Sequence, residues 1–385
     1  MCNFRFEPGT RPSGPPDREA AAAASTIKAN LRPHISTPMA PIARGAVLLL
    51  VALSLATSVS AVISPFWGGA QPLEPVAKSL IAAWNAAAKK KPALLVGPYD
   101  PSGSSNGIKG FYNGTYLIGA ASEPITATVE GQNSGVGKIT LPVAVAAYNF
   151  FVHGPSIVLS AVDTYNIYSG AVTDWGSIPA AKGRITGAIS RYSRSDKVGT
   201  TAIIQQLWVK AGASYTGKTD GSPLTFSGLL TVASNTAMCN AVVAKVGAIG
   251  YAHVSACSAQ VRNKKFRNKI SEVALKNALG QALTSATWIA TNALSGVTRP
   301  APDGSWDQVD LIWKSTAKAP AAVSMQYVFV KKVLPKNGGA VAKQFLVSSL
   351  PKFTGAAKAN GFNVVPAAWF NPSATAVKAV TVSTS

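Results

Sequence analysis

The chain is poor in the residues that carry most enzyme chemistry. Of 385 residues, 15 are Asp or Glu, 3 are His and 3 are Cys. Past residue 61 there remain 12 acidic residues and two histidines, His153 and His253. That leaves little material for carboxylate pairs or His-based triads, and no His-Glu-x-x-His segment is present. Besides Cys2 there are only Cys239 and Cys257, and with so few other soft ligands a structural zinc module is excluded. No metal, cofactor or catalytic residue is expected. Fixed-period repeats are absent, which excludes a solenoid. No C2H2, RNP-like or basic-zipper pattern occurs, so specific nucleic-acid binding is not expected. The one long apolar run, residues 46–56, is too short for a comfortable membrane span.

What is present is apolar and basic. Apolar residues make up 47% and charged ones 13%, the balance of a globular chain. The formal net charge is +21, and past residue 61 there are 30 Lys and Arg against the 12 acids, which favours anionic partners. The dense basic run at 262–269 reads as a solvated loop or helix edge.

Residues 1–38 are rich in Ala, Pro and Arg without a sustained period, and read as an untranslated or disordered leader. From Met39 the text changes: Arg44, the apolar run, then small residues ending in Val59-Ser60-Ala61. Residues 39–61 read as a secretory signal cleaved after Ala61, giving a periplasmic or secreted protein. The residue directly after that site is Val62 and not Cys, so a lipid anchor is not supported. In an exported chain Cys239 and Cys257 most simply form one disulfide, with two buried thiols as the alternative.

Strand and helix signals then alternate, which indicates α/β units. A helix is expected at 76–88, a short strand at 93–96, and a Gly/Ser loop at 102–109 opening a helix. Residues 117–125 read as a strand running into a turn. The apolar run 139–151, broken by Pro142, suits a segment crossing between two domains. Further strands are expected at 246–252 and 327–330 and a helix at 340–350, with a loosely held tail after Pro372. Two motifs match by letter only. Residues 212–219 fit a Walker A pattern but lack a preceding strand and a following helix. Residues 103–107 fit Gly-x-Ser-x-Gly without the sharp turn off a strand that a nucleophile elbow needs. His153 and His253 read as surface or packing residues.

The stretch 185–208 carries the most chemistry. Ile185, Gly187 and Ile189 alternate as a strand would, and Ile203, Ile204, Leu207 and Trp208 fit one helical face. Between them lie Arg194, Asp196, Gly199, Thr200 and Thr201, with Thr200 and Thr201 as N-cap candidates. Such a turn aims free N–H groups and the positive end of a helix dipole at one point, where an Arg and hydroxyls can join them. Taken alone, the stretch also fits an ordinary capped helix with a solvated Arg.

Several separated segments resemble one family, the phosphate-binding proteins that serve ABC phosphate importers. They are residues 103–109, 119–125, 145–149, 167–175 and 247–251, together with Arg194-Ser195-Asp196-Lys197-Val198-Gly199-Thr200-Thr201, which is similar to the family's Arg-x-Asp-Gly-Ser-Gly-Thr segment. The resemblance implies a two-lobed α/β fold of the periplasmic-binding-protein type (type II), with two crossovers and a ligand cleft. It divides the chain into lobe 1 at 62–142, lobe 2 at 143–252, and the second part of lobe 1 with the C-terminal tail at 253–385. It implies Gln71, Ser104, Ser122, Arg194, Gly199 and Thr200 around a small oxyanion, phosphate first, with Asp196 orienting Arg194. It also implies an inner-membrane ABC permease as partner and a monomeric chain. Two departures stand out. Ser122, with Glu123 beside it, occupies the place of the Asp that accepts the proton of hydrogen phosphate, and Val198 replaces a hydroxyl donor. The rival readings are a secreted adhesion or anionic-polymer-binding protein with a vestigial cleft, and a phosphatase-like enzyme on the same scaffold.

Overall fold

The computed structural model describes residues 66–88, 91, 94–266 and 268–384. The leader expected at 1–38 and the signal segment expected at 39–61 lie outside the described residues, as do Lys89 and Lys90. Nine strands make the central sheet: β1 (Trp67–Gly69), β2 (Tyr99–Asp100), β3 (Ile118–Ala121), β4 (Lys138–Val152), β5 (Ser190–Arg194), β6 (Leu230–Val232), β7 (Ala248–His253), β8 (Ser271–Glu272) and β9 (Val323–Lys331). The helices are α1 (Glu74–Ala88), α2 (Ser104–Asn113), α3 (Ala127–Gln132), α4 (Ala161–Ser169), α5 (Gly199–Lys210), α6 (Asn235–Ala244), α7 (Val254–Arg262), α8 (Lys336–Ala359) and α9 (Ala367–Lys378). The strand order is β2-β1-β3-β9-β4-β7-β5-β6, with β8 also on β4.

β4 organises the molecule. All 15 of its residues are buried, as a near-continuous apolar run must be when both faces of a strand are covered. Through Ala147 it pairs antiparallel with β9, and from Tyr148 onward with β7. One strand thus serves two sheet halves, as its apolar, extended sequence suggested. Opposite Pro142 the register shifts between Gln326 and Tyr327; a residue without an N–H cannot continue the ladder, and a bulge absorbs it. β1, β2 and β3 are parallel neighbours, as are β5, β6 and β7. Ligand crevices in such sheets lie off the carboxyl ends of the strands, where β1, β3 and β5 run out into Gln71, Ser122 and Asp196.

From His253 to Lys276 the chain stays with the second half. α7 is tied to α6 by the Cys239–Cys257 disulfide, whose Cα atoms are 5.4 Å apart, and β8 pairs with the end of β4. The next strand, at 274–276, pairs with Val158 and Leu159. The disulfide closes a small core with Phe151, Met238, Val242 and Ile270.

Three local expectations need correcting. Val96 makes only a bridge, and the strand beside β1 is Tyr99–Asp100. α8 runs through Pro351 to Ala359, because Phe345, Leu346, Leu350, Phe353 and Ala357 bury one stripe on both sides of the proline. The tail is not loose. Trp369, Ser373, Ala374 and Val377 of α9 are buried, and Thr381–Val382 pairs with Val333–Leu334.

Candidate functional site

β5 begins five residues later than the alternation at 185–190 suggested. Gly187 has φ +84 and Ala188 makes only a bridge to Asp174, so the extended ladder starts at Ser190. Its last residue, Arg194, is wholly buried at 0% exposure. Nη2 of Arg194 donates to Gln71 Oε1 at 2.8 Å, to Asp196 Oδ2 at 2.8 Å and to the Ala233 carbonyl at 3.0 Å. Gln71 comes from the turn after β1, so this bond joins the two halves of the sheet. Nε and Nη1 of Arg194 are buried and have no partner among the described residues, and the same holds for Asp196 Oδ1. Unpaired donors on a buried guanidinium are expensive and uncommon in folded proteins.

α5 starts at Gly199 with Val198 as its N-cap, and no side chain caps it. Thr200 and Thr201 therefore lie inside the first turn, not at the cap, because residue 198 already takes the extended conformation that a cap needs. Thr201 Oγ1 lies 3.0 Å from the Tyr251 hydroxyl, which also meets Ser193 Oγ at 3.0 Å and accepts from the Arg194 N–H at 3.3 Å. Tyr251, which the sequence did not single out, fixes the end of β5 against the start of α5. Thr200 is buried in the same turn.

Gly199 is crowded by close approach and has no left-handed backbone angle. A Cβ there would stand 2.5 Å from Glu123 Oε2, 3.1 Å from Ser104 Oγ and 3.1 Å from Ser122 Cβ. Ser104, Ser122 and Gly199, which come from separate segments, thus meet at the N-terminus of α5. Gly103, with φ +99, opens α2 beside them, and its Cβ position faces the Lys197 carbonyl at 3.6 Å.

The serines are engaged differently from expectation. Ser104 Oγ accepts the Ser122 N–H at 2.9 Å, and Ser122 Oγ donates to Gln326 Oε1 at 2.9 Å. Nε2 of Gln326 in turn donates to Tyr148 Oη at 3.2 Å and to Ser324 Oγ at 2.9 Å. The Ser122 hydroxyl is thus turned into a buried network on β4 and β9, and the carboxyl of Glu123 occupies the space facing α5. Successive strand residues point to opposite faces, which alone would part Ser122 from Glu123. β3, however, ends at Ala121, and the bend after it brings both residues to Gly199. Glu123 Oε2 is buried without a partner. Burial pushes its pKa up to about 7, against the opposing pull of the Ser104 hydroxyl and the Lys197 ammonium.

The remaining candidates are structural. His253 is buried and stacks on Phe362 at 4.6 Å between centroids, and burial pushes its pKa down to about 3. His153 Nδ1 lies 3.0 Å from the Val242 carbonyl. The loop at 212–219 follows α5 directly and leads into no helix. Ser105, the central residue of the 103–107 motif, is exposed in the first turn of α2.

A family model described as a PBP superfamily domain matches residues 62–328. No curated protein matches the chain significantly. Among solved structures, a high-affinity periplasmic phosphate-binding protein (PfluDING) bound with phosphate is similar, with TM-score 0.62 and 18% identity over 80% of this chain and 91% of that one. The ancestral soluble variant of the human phosphate binding protein gives 0.60 and 18%, over 80% and 92%. A phosphate binding protein from Stenotrophomonas maltophilia gives 0.56 and 16%, over 82% and 93%. These likenesses concern the two-lobed α/β fold. With a family model covering well over half of its length, the chain belongs to the PBP superfamily.

Proposed function

We propose that this chain is an exported solute-binding protein that captures a small oxyanion, phosphate first, and delivers it to an ABC permease in the inner membrane. The observation that carries the reading is Arg194. Its guanidinium is fully buried, anchored through one nitrogen by Gln71, Asp196 and Ala233, and keeps its other two nitrogens, Nε and Nη1, unpaired. Donors fixed in that way cost stability unless an anion uses them. The uncapped N-terminus of α5 adds backbone N–H groups and a positive dipole end. Ser104, Gly199 and Thr200 complete the contact set. Glu123 takes the part of the proton-accepting carboxylate that the resemblance assigned to the position of Ser122. The similar proteins named above are phosphate-binding proteins, which supports a binder over an enzyme and phosphate over other anions. Release follows from parting of the two halves about β4, a hinge motion general to this type of fold. The protein acts as a monomer.

Isothermal titration of the protein with phosphate, arsenate and sulfate tests this. One-to-one binding that disappears in Arg194→Ala is expected. Heatless injections for all three anions, with the fold intact by circular dichroism, would sink the reading.

A further inference from the structure

α2 and α5 both begin at the junction around Gly199, and both line a cavity of about 960 Å³. α2 presents Ile108, Lys109 and Tyr112 to it, and α5 presents Ile203, Gln206 and Lys210, one face of each helix. Met325 and Tyr327 of β9 and Leu311 of the preceding loop make an apolar wall. Ser122 and Glu123 line the cavity and also stand against Gly199, so the cavity adjoins the junction at these two residues.

The size is wrong for an inorganic anion. Such an ion takes up on the order of 100 Å³, at about 30 Å³ per water-sized share. The cavity lies in the range of pockets that hold organic ligands, roughly 300–1,000 Å³. Its charges are largely compensated. Lys197 pairs with Asp220 at 2.7 Å, and Lys210 pairs with Asp310 from the opposite wall. Lys109 and Asp307 also line it and balance each other in sign. A chamber with apolar walls and offsetting charges selects for an uncharged, apolar body, while charge recognition stays with Arg194 and α5.

We propose that the ligand of this protein is a phosphate monoester, with its phosphoryl group at the Arg194–Gly199 junction and its organic group in the cavity between α2 and α5. This rests on the oxyanion reading above and narrows it. The ester oxygen passes Glu123, the residue shared by junction and cavity, whose carboxyl in its protonated form has a hydrogen bond to give.

The test is calorimetry on the full protein with inorganic phosphate, ethyl phosphate, butyl phosphate and phenyl phosphate. Affinity rises with the organic group, and phenyl phosphate binds at least about tenfold tighter than inorganic phosphate, as burial of its apolar surface requires. Ile108→Trp and, separately, Met325→Trp fill the cavity and remove that gain, while inorganic phosphate binds as before. Phosphate binding with esters no tighter overturns the proposal and leaves the oxyanion reading standing. Failure of every ligand overturns both. Tighter ester binding that survives both Trp variants places the organic group elsewhere and also overturns the proposal.

Discussion

Glu123 and Gly199 meet across the junction of the two halves: a Cβ on Gly199 would stand 2.5 Å from Glu123 Oε2. A titratable carboxyl thus faces the positive end of α5, with its pKa pushed up to about 7 by burial. An anion held there shares its surroundings with one proton, carried either by Glu123 or by the ligand.

Sulfate separates the two cases. It has no proton to offer near neutral pH, so Glu123 must keep its own for sulfate to bind without two acceptors facing each other. Sulfate affinity therefore falls about tenfold per pH unit once the pH exceeds the carboxyl's own value, because one proton is linked to binding. Phosphate can supply the proton itself and loses less over the same range. Glu123→Gln, a permanent donor, flattens the sulfate profile. Titrations of both anions between pH 6 and 9 check this, the window being roughly one unit below to two above the titration. A steep sulfate slope persisting in Glu123→Gln would remove Glu123 from the account.

The same carboxyl makes folding stability pH-dependent, and its sign is opposite to that of an ion-paired acid. The folded value is raised from 4.5 to about 7. Between those values the unfolded chain gives up its proton while the folded one keeps it. The unliganded protein therefore loses stability as pH rises from 4.5 to about 7, with no further loss from this group above that. His253 works the other way: its folded value is lowered from 6.5 to about 3, so its contribution is present above 6.5 and is lost as pH falls toward 3. Denaturant melts of Glu123→Gln and wild type across this range isolate the first effect. Parallel curves would contradict it.

Gly199→Ala tests the close approach. The new methyl pushes Glu123 Oε2, which can swing away, but also meets Ser122 Cβ at 3.1 Å, which cannot. The expected cost in stability is modest, about 1 kcal/mol, the lower end of the range for overpacking. Anion affinity falls more, by about tenfold or greater, since a charge-assisted hydrogen bond contributes roughly 1.5–3 kcal/mol. A variant that binds as wild type would show that ligand does not enter at Gly199.

How far the sequence was readable depends on the range of the forces involved. The apolar run of β4 and the helix at α1 follow from local pattern, and they recur in the fold. Arg194, Asp196 and Gln71 do come together. The part that was not readable lies in side-chain direction. That Ser122 would donate to Gln326, 204 positions away, leaves no local trace. The start of β5 at Ser190 was hidden because Ile185 and Ile189 alternate correctly around a glycine with positive φ. α9 was obscured by Pro372, a residue that usually ends a helix but here sits in one whose buried stripe holds it.

The disulfide predicts a separation of stability from binding. Cys239 and Cys257, 18 positions apart, tie α6 to α7, and neither contacts Arg194 or Glu123 through a hydrogen bond or ion pair. Replacing both by Ser removes about 3 kcal/mol by loop-closure entropy. Thermal unfolding should shift down by several degrees with phosphate affinity at 25 °C unchanged, about 4 °C or less per kcal/mol for a domain of this size. Loss of affinity in a folded double variant would mean that α6 also sets the position of Ala233, whose carbonyl holds Arg194.

Arg194→Lys is the sharpest of the substitutions. One guanidinium nitrogen serves Gln71, Asp196 and Ala233, while the two others have no partner among the described residues. An ammonium keeps the charge but has three donors at a single point, so it can hold its neighbours or the anion but not both. Affinity is expected to fall at least about a hundredfold, the loss of one or two charge-assisted bonds. Gln71→Ala removes one anchor from the opposite half and leaves Asp196 and Ala233, so its cost is smaller, about tenfold for one such bond. The ordering itself is diagnostic. If Arg194 contributed only bulk positive charge, Lys would bind nearly as well as Arg, and Gln71→Ala would match wild type at raised salt, where long-range attraction is screened.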